Sequence, residues 1–322
     1  MNKINVLSLF DGMSCGQIAL ERAGFNINSY YASEIDKYAI KVTMANYPNT
    51  IQLGDVNDYE EWNLPKIDLL IGGSPCTNLS ICGDRTGLKG EQSKLFYKYL
   101  EILKLIKPKY FLLENVASMS KENKNIISEL LGCNSIMIDS SLLSAQTRKR
   151  LYWTNIPNIE QPKDKGLLLK DVLEYGVTDR DKSYCIDANY FKGGNLKQYF
   201  KNSRRQLIFE NKKILCELKN NYVQYDLNGN NNKSQDQRAY YLNGKHETLT
   251  SSGCGSKVKV TNLKNIRKLT PLEVERLQTV PDNYTLVNEH DKQIISNSQR
   301  YKMLGNGFTV DVISHILSHM EI

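Results

Sequence analysis

The run "IDLLIGGSPCTNLS" ends an apolar strand at Gly72-Gly73 and is followed at once by Ser74, Pro75 and Cys76. A cysteine in such a place is, taken alone, an inert buried thiol. Its setting argues otherwise. The next apolar strand ends in Glu114-Asn115, which sets a carboxyl at the neighbouring strand end. The segment "SAQTRKRLYW" then carries Gln146, Arg148 and Arg150 at alternate positions, so in an extended chain the three share one face. Between Cys76 and about Gln92 the chain is long, polar and glycine-containing, the composition of a mobile cover.

A thiol, a carboxyl and a guanidinium at one sheet edge suit the chemistry of a pyrimidine. Position 5 of cytosine is a poor nucleophile until a thiolate adds at position 6 and generates an enamine. A carboxyl bonded to N3 and the 4-amino group stabilises that adduct, and an arginine can hold O2. Nearby cations favour the reactive thiolate.

A second set of residues falls on the preceding strand ends. "VLSLFDGMSCGQIAL" reads as strand, tight turn and helix opening, with Gly12 and Gly16 in place of a full dinucleotide fingerprint. Glu34 ends the second strand, where a carboxylate can accept from both ribose hydroxyls, and Asp55 ends the third, where it can meet an adenine amino group. Each acid could instead be a helix cap. The three features in register favour an adenosine-type ligand. S-adenosylmethionine fits better than a nicotinamide dinucleotide, because a nucleophilic thiol has no obvious role in hydride transfer.

These groups need a sheet to hold them. Strand patterns fall at 4–9, 27–34, 50–56, 67–73, 110–115, 135–143 and 150–156, and helical patterns at 15–24, 36–46, 93–106 and 123–132. The alternation predicts an α/β fold with a parallel Rossmann-like sheet. Regularity stops near Pro157. The Asn-, Lys- and Tyr-rich stretch to about residue 265 reads as a smaller irregular domain, given apolar material by Tyr184, Tyr190, Tyr199 and Phe209. "TPLEVERLQTV" restarts a helix, with Thr270 as cap and Pro271 in the first turn. The amphipathic "FTVDVISHILSHM" should pack back on the first domain. Residues 1–156 completed by 299–322 are therefore expected to form one domain, and 157–298 a second.

Composition narrows the partners. The net charge of +7 is uneven: residues 141–270 carry 24 Lys and Arg against 12 Asp and Glu, whereas the remainder carries 18 against 23. A basic segment on an acidic-to-neutral body suits a polyanion, though a solvated lysine-rich surface reads the same way. "KSYCIDANYFKGGNLKQYFKNSRRQL" interleaves aromatic and basic residues, with Arg204 and Arg205 able to meet phosphates or guanine edges. "QDQRAYY", with Arg238, and "SSGCGSK" read as groove-entering loops. Seven cysteines without a CxxC pair argue against a disulfide framework or zinc ribbon. His315 and His319 lack the glutamate of a zinc-protease helix, so no metal is expected. No apolar run approaches the roughly 18 residues of a membrane span, and a cytoplasmic location follows by default.

The order "FDGMSCG", "SEID", "GDV", "GGSPCTNLS", "LLENV", "QTRKRLYW", "RLQTVPDNY" and "QRYKMLGNGFTV" resembles the cytosine-5 DNA methyltransferase family, with first-half motifs closest to its de novo-type members. The resemblance covers 1–156 and 267–322 and leaves the middle as the variable target-recognition region. It implies Cys76 as nucleophile, Glu114 as N3 partner, and Arg148 and Arg150 as catalytic arginines beside Gln146. It implies that Phe10, Gly12, Met13, Glu34, Ile35, Asp55, Val56, Pro75, Leu95 and Asn306 line S-adenosylmethionine, and that Ser80 touches a DNA phosphate. Departures are Ser14-Cys15 for the usual glycine pair, Thr77 for Gln after the nucleophile, Ile35 for an aromatic, and Gly307 for Ser.

The expected activity is methyl transfer to C5 of a cytosine flipped out of double-stranded DNA, through a covalent Cys76 adduct. A cognate restriction endonuclease is a partner compatible with the resemblance, and a monomer or weak dimer is expected. Two alternatives stay open: a tRNA cytosine-5 methyltransferase with the same architecture, and a catalytically silent DNA-binding regulator.

Overall fold

The computed structural model describes residues 3–74, 94–194, 196–216, 239–241, 259–261, 266–289 and 291–321. Its centre is a seven-stranded sheet. The apolar runs form β1 (Lys3–Leu9), β2 (Asn26–Ser33), β3 (Ile51–Gln52), β4 (Leu69–Gly73), β5 (Tyr110–Val116), β6 (Ile136–Asp139) and β7 (Lys149–Thr154). Between them lie α1 (Cys15–Arg22), α2 (Lys37–Asn46), α3 (Lys94–Ile106) and α4 (Lys121–Leu131). The sheet order is β3-β2-β1-β4-β5-β7-β6. β1 to β5 run parallel, so their carboxyl ends share one edge. The chain moves outward from β1 to β3, then returns to continue from β4, making a switch point between β1 and β4 where open α/β sheets hold ligands.

The sequence pattern predicted a wholly parallel sheet, and the last strand, β7, corrects it. β7 pairs antiparallel with both β5 and β6. The link from Asp139 to Lys149 is too short for the helical crossover that a parallel partner requires. The third strand is also shorter than its pattern, because Asp55 accepts from the Asn57 backbone N–H at 2.9 Å and starts a 3-10 turn at Val56.

Beyond the sheet come α5 (Leu169–Val172), α6 (Leu196–Phe200), β8 (Leu207–Phe209), β9 (Ala239–Tyr241), β10 (Lys259–Thr261) and β11 (Ile266–Lys268). β8 and β11 pair antiparallel over a small core of Tyr199, Leu207, Phe209 and Leu215. The predicted start of α7 (Pro271–Leu277) is a reciprocal capping box: Thr270 Oγ1 accepts from Glu273 N, and Glu273 accepts from Thr270 N at 2.8 Å. α8 (Asn297–Asn306) and α9 (Val310–Leu317) follow.

The larger apolar core joins the two ends of the chain. Ile18, Ala19 and Leu20 of α1 share it with Val312, Ile313 and Ile316 of α9, as the amphipathic pattern predicted, and with Val274, Leu277, Val280, Tyr284 and Ile295. The pairing of Arg22 with Asp311 at 2.6 Å closes the same seam.

One glycine shows how closely the late helix approaches the middle segment. A Cβ on Gly305 would lie 2.3 Å from the Asp187 carbonyl carbon and 2.5 Å from Ala188 N. Backbone cannot rotate aside as a side chain can, so Gly305→Ala is expected to destabilise the fold by about 3 kcal/mol. Urea unfolding of the two proteins checks this, and an unchanged midpoint would contradict the close approach.

Candidate active site

A cavity of about 560 Å³ opens at the carboxyl ends of β1, β2, β4 and β5, within the size range of small-molecule sites. Its floor is the turn after β1. Phe10, Gly12 and Ser14 all take left-handed backbone conformations, with φ of 57°, 62° and 62°. Non-glycine residues rarely accept this, and such strain concentrates at ligand sites. A side chain on Gly12 would meet nothing within 4 Å, so the turn leaves open space over its backbone. Asp11 anchors the turn from below, accepting from Ser14 Oγ at 2.6 Å and Tyr30 OH at 2.8 Å.

The second strand end turns on Glu34. Its carboxylate accepts from three backbone N–H groups: Gly12 at 2.8 Å, Ile35 at 2.7 Å and Asp36 at 2.8 Å. Those bonds fix both oxygens at the cavity wall and tie the β1 turn to the β2 turn. Oε1 takes two of the three bonds, so Oε2 keeps a second lone pair for a hydroxyl donor. Asp55 caps its 3-10 turn, as one reading of the sequence allowed, and it also lines the cavity. Phe10, Gly12, Glu34, Ile35, Asp55, Val56, Leu95 and Asn306 line the cavity. Met13 is absent from the described lining. Its side chain is buried in the core, and its carbonyl accepts from Tyr284 OH at 2.8 Å.

The reactive edge is built on β4, β5 and β7. Glu114 lies opposite Tyr152 in the β5–β7 ladder, which makes Arg150 its diagonal neighbour on the same face. The two side chains meet with Arg150 Nε 2.7 Å from Glu114 Oε1, each about 15% exposed. Asn115 is buried and donates to Ser74 Oγ at 3.0 Å, which ties β5 to the residue leading into Pro75-Cys76. A Cβ on Gly73 would lie 2.8 Å from the Phe308 ring and 3.2 Å from Glu114 Oε2, so the glycine leaves room for both side chains. Pro75, Cys76, Thr77, Ser80, the segment to Gln92 and Arg238 lie outside the described residues.

The alternation of Gln146, Arg148 and Arg150 does not become one strand face, because β7 begins at Lys149. Gln146 is buried and donates to the Leu277 carbonyl at 3.0 Å while accepting from Ile186 N at 3.0 Å. Arg148 lines the cavity, yet its guanidinium donates to the carbonyls of Ile186, Gly305 and Gly307 at 2.8, 3.1 and 3.0 Å. It therefore fastens the late loop to the middle segment. Arg204 pairs with Asp187 at 3.1 Å, and Arg205 donates to the Gly193 carbonyl.

Sequence reasoning missed several lining residues, including Asp11, Ser74, Asp36, Lys302 and Phe308. Lys302 sits in an ordinary helical pattern, and nothing in its spacing signals the Asp36 partner 2.8 Å away. Burial acts against ionised Asp36, but the bonds from Lys302 and the Tyr38 N–H hold its carboxyl below the usual range. Among the described residues no cluster of His, Cys, Asp and Glu could hold a metal ion, and no helix is long and apolar enough to cross a membrane.

Burial pushes Asp11 from an ordinary 3.8 to about 6, against the hydroxyl bonds that favour its ionised form. A raised acid binds its proton more tightly when folded, so its stabilising contribution is complete below about pH 4 and lost as pH rises through about 6. About two pH units correspond to about 3 kcal/mol. Relative to Asp11→Asn, the wild type should lose that much unfolding free energy between pH 4 and 7. Denaturant titrations across the range test this, and a pH-independent difference would refute it.

The chain is 37% identical over 164 residues to the orphan methyltransferase M.SPRI of Bacillus phage SPR, a match covering 47% of this chain and 37% of that protein. It thus spans little more than a third of that relative's length. It is 26% identical to the type II methyltransferase M.Bsp6I of Bacillus sp. (strain RFL6), over 98% of both chains. Among solved structures, the S. pombe Dnmt2 methyltransferase has the same fold, with a TM-score of 0.61, 16% identity and coverage of 98% of this chain and 97% of that one. The model of the C-5 cytosine-specific DNA methylase family matches residues 4–321, and the chain belongs to that family.

Proposed function

We propose that the protein transfers a methyl group from S-adenosylmethionine to C5 of cytosine in double-stranded DNA. The observation that carries this reading is the Glu114–Arg150 pair, 2.7 Å apart on the cavity wall and next to Ser74, which leads into Pro75-Cys76. The residues at the other end of the cavity fit the donor. Glu34 can accept from ribose hydroxyls, Asp55 can accept from an amino group, and the open backbone of Gly12 gives room for close approach. When bound, S-adenosylmethionine supplies an electrophilic methyl group on a sulfonium centre.

The protein's own groups prepare the base. Cys76 adds as thiolate to C6 of a cytosine flipped from the duplex, which makes C5 an enamine carbon. Glu114 bonds N3 and the 4-amino group and balances the charge that the addition places on the ring. Arg150 orients Glu114 through its Nε, and its guanidinium can reach O2. After C5 is methylated, loss of its proton and expulsion of the Cys76 thiolate restore the aromatic ring. The basic segment within 157–298 grips duplex DNA, with Arg204 and Arg205 among its phosphate- or base-facing candidates.

Labelled donor offered separately with DNA and with tRNA should label the DNA. Label in tRNA alone favours the RNA reading, and label in neither favours a silent regulator. DNA containing 5-fluorocytosine should trap a covalent adduct that Cys76→Ala abolishes; an adduct with the alanine variant would overturn the nucleophile assignment. Glu114→Gln should lower kcat by about 100-fold, the usual scale for losing an acid–base partner, while cofactor affinity changes little.

A further inference from the structure

Three cationic side chains line the cavity among the described residues, and two are committed elsewhere. Arg150 holds Glu114, and Arg148 donates to three backbone carbonyls. The third is Lys302, half exposed at the cavity mouth and bonded to Asp36 at 2.8 Å. An ammonium has three donors, so one carboxylate partner does not exhaust it. Lys302 lies four residues before Asn306 on α8, and both line the cavity, so one helical face presents them together. The carboxyl groups around them, on Asp11, Glu34, Asp36, Asp55 and Glu114, would repel an anionic ligand group.

A ligand with an α-amino-acid end must bring a carboxylate into this acidic cavity. We propose that Lys302 recognises the carboxylate of the methyl donor's amino-acid end, and that Asp36 holds the ammonium at the cavity mouth for that purpose. The proposal rests on the reading that the cavity takes S-adenosylmethionine, and it names the side chain that selects one end of it. A solvent-exposed ion pair contributes little to stability, so a purely architectural pair would leave ligand preference unchanged.

Titration calorimetry with S-adenosylhomocysteine and 5′-methylthioadenosine separates the possibilities, because the second ligand keeps the nucleoside and sulfur but lacks the amino acid. Lys302→Met should weaken S-adenosylhomocysteine about tenfold and leave 5′-methylthioadenosine within about twofold, as expected for one lost charge-assisted bond. Lys302→Arg should restore most of the affinity. Asp36→Asn keeps an oxygen to cap Tyr38 N but weakens the hold on the ammonium, and should weaken S-adenosylhomocysteine only about twofold, clearly less than Lys302→Met. Equal loss of both ligands with Lys302→Met, no loss of either, or a loss with Asp36→Asn matching that of Lys302→Met overturns the proposal. Failure of the wild type to bind either nucleoside overturns the donor reading itself, and this inference with it.

Discussion

Glu114 and Arg150 can meet only because β7 enters the sheet antiparallel to β5. Glu114 lies near the carboxyl end of β5, where the parallel strands deliver their functional residues. Arg150 is the second residue of β7. In a parallel strand it would sit at the opposite edge of the sheet, about five residues of rise away. The short Asp139–Lys149 connection imposes the reversal, and the reversal brings a guanidinium to the edge that holds the carboxyl.

The remaining site depends on parts of the chain far apart in sequence being locked together by buried polar groups. Arg148 and Gln146 satisfy backbone carbonyls of the late segment, and Gln278 donates to the Leu304 carbonyl at 2.6 Å. The buried Glu275 accepts from Arg300 at 2.9 Å and from the backbone of Asn283 at 2.8 Å and Thr285 at 2.9 Å. A buried ion pair adds little net stability over apolar packing, but removing one partner leaves an uncompensated charge at a cost of several kcal/mol. Such pairs make the late loop's position all-or-none. That loop supplies Asn306 and Phe308 to the cavity, so polar locking of the core bears directly on the site.

Close approach does the same work where charge is absent. Gly305 lets α8 rest on the backbone of Asp187 and Ala188, and Gly73 makes space for the Phe308 ring beside Glu114. Both positions are set by what must pass near the backbone rather than by a turn.

By itself the sequence determined the alternation of strands and helices, the α7 cap at Thr270, the packing face of α9, and the residues at the strand ends. Glu34, Asp55 and Glu114 were legible because strand ends in an α/β sheet converge on one edge whatever the loops do. The motif order was also enough to indicate the family. Tertiary structure alone decided the direction of β7, the separate fates of Gln146, Arg148 and Arg150, the burial of Met13, and the pairing of Lys302 with Asp36 across 266 residues. Periodicity reports which face of an element is apolar. It carries no information on which distant backbone carbonyl or carboxylate a long polar side chain will find once the core has closed.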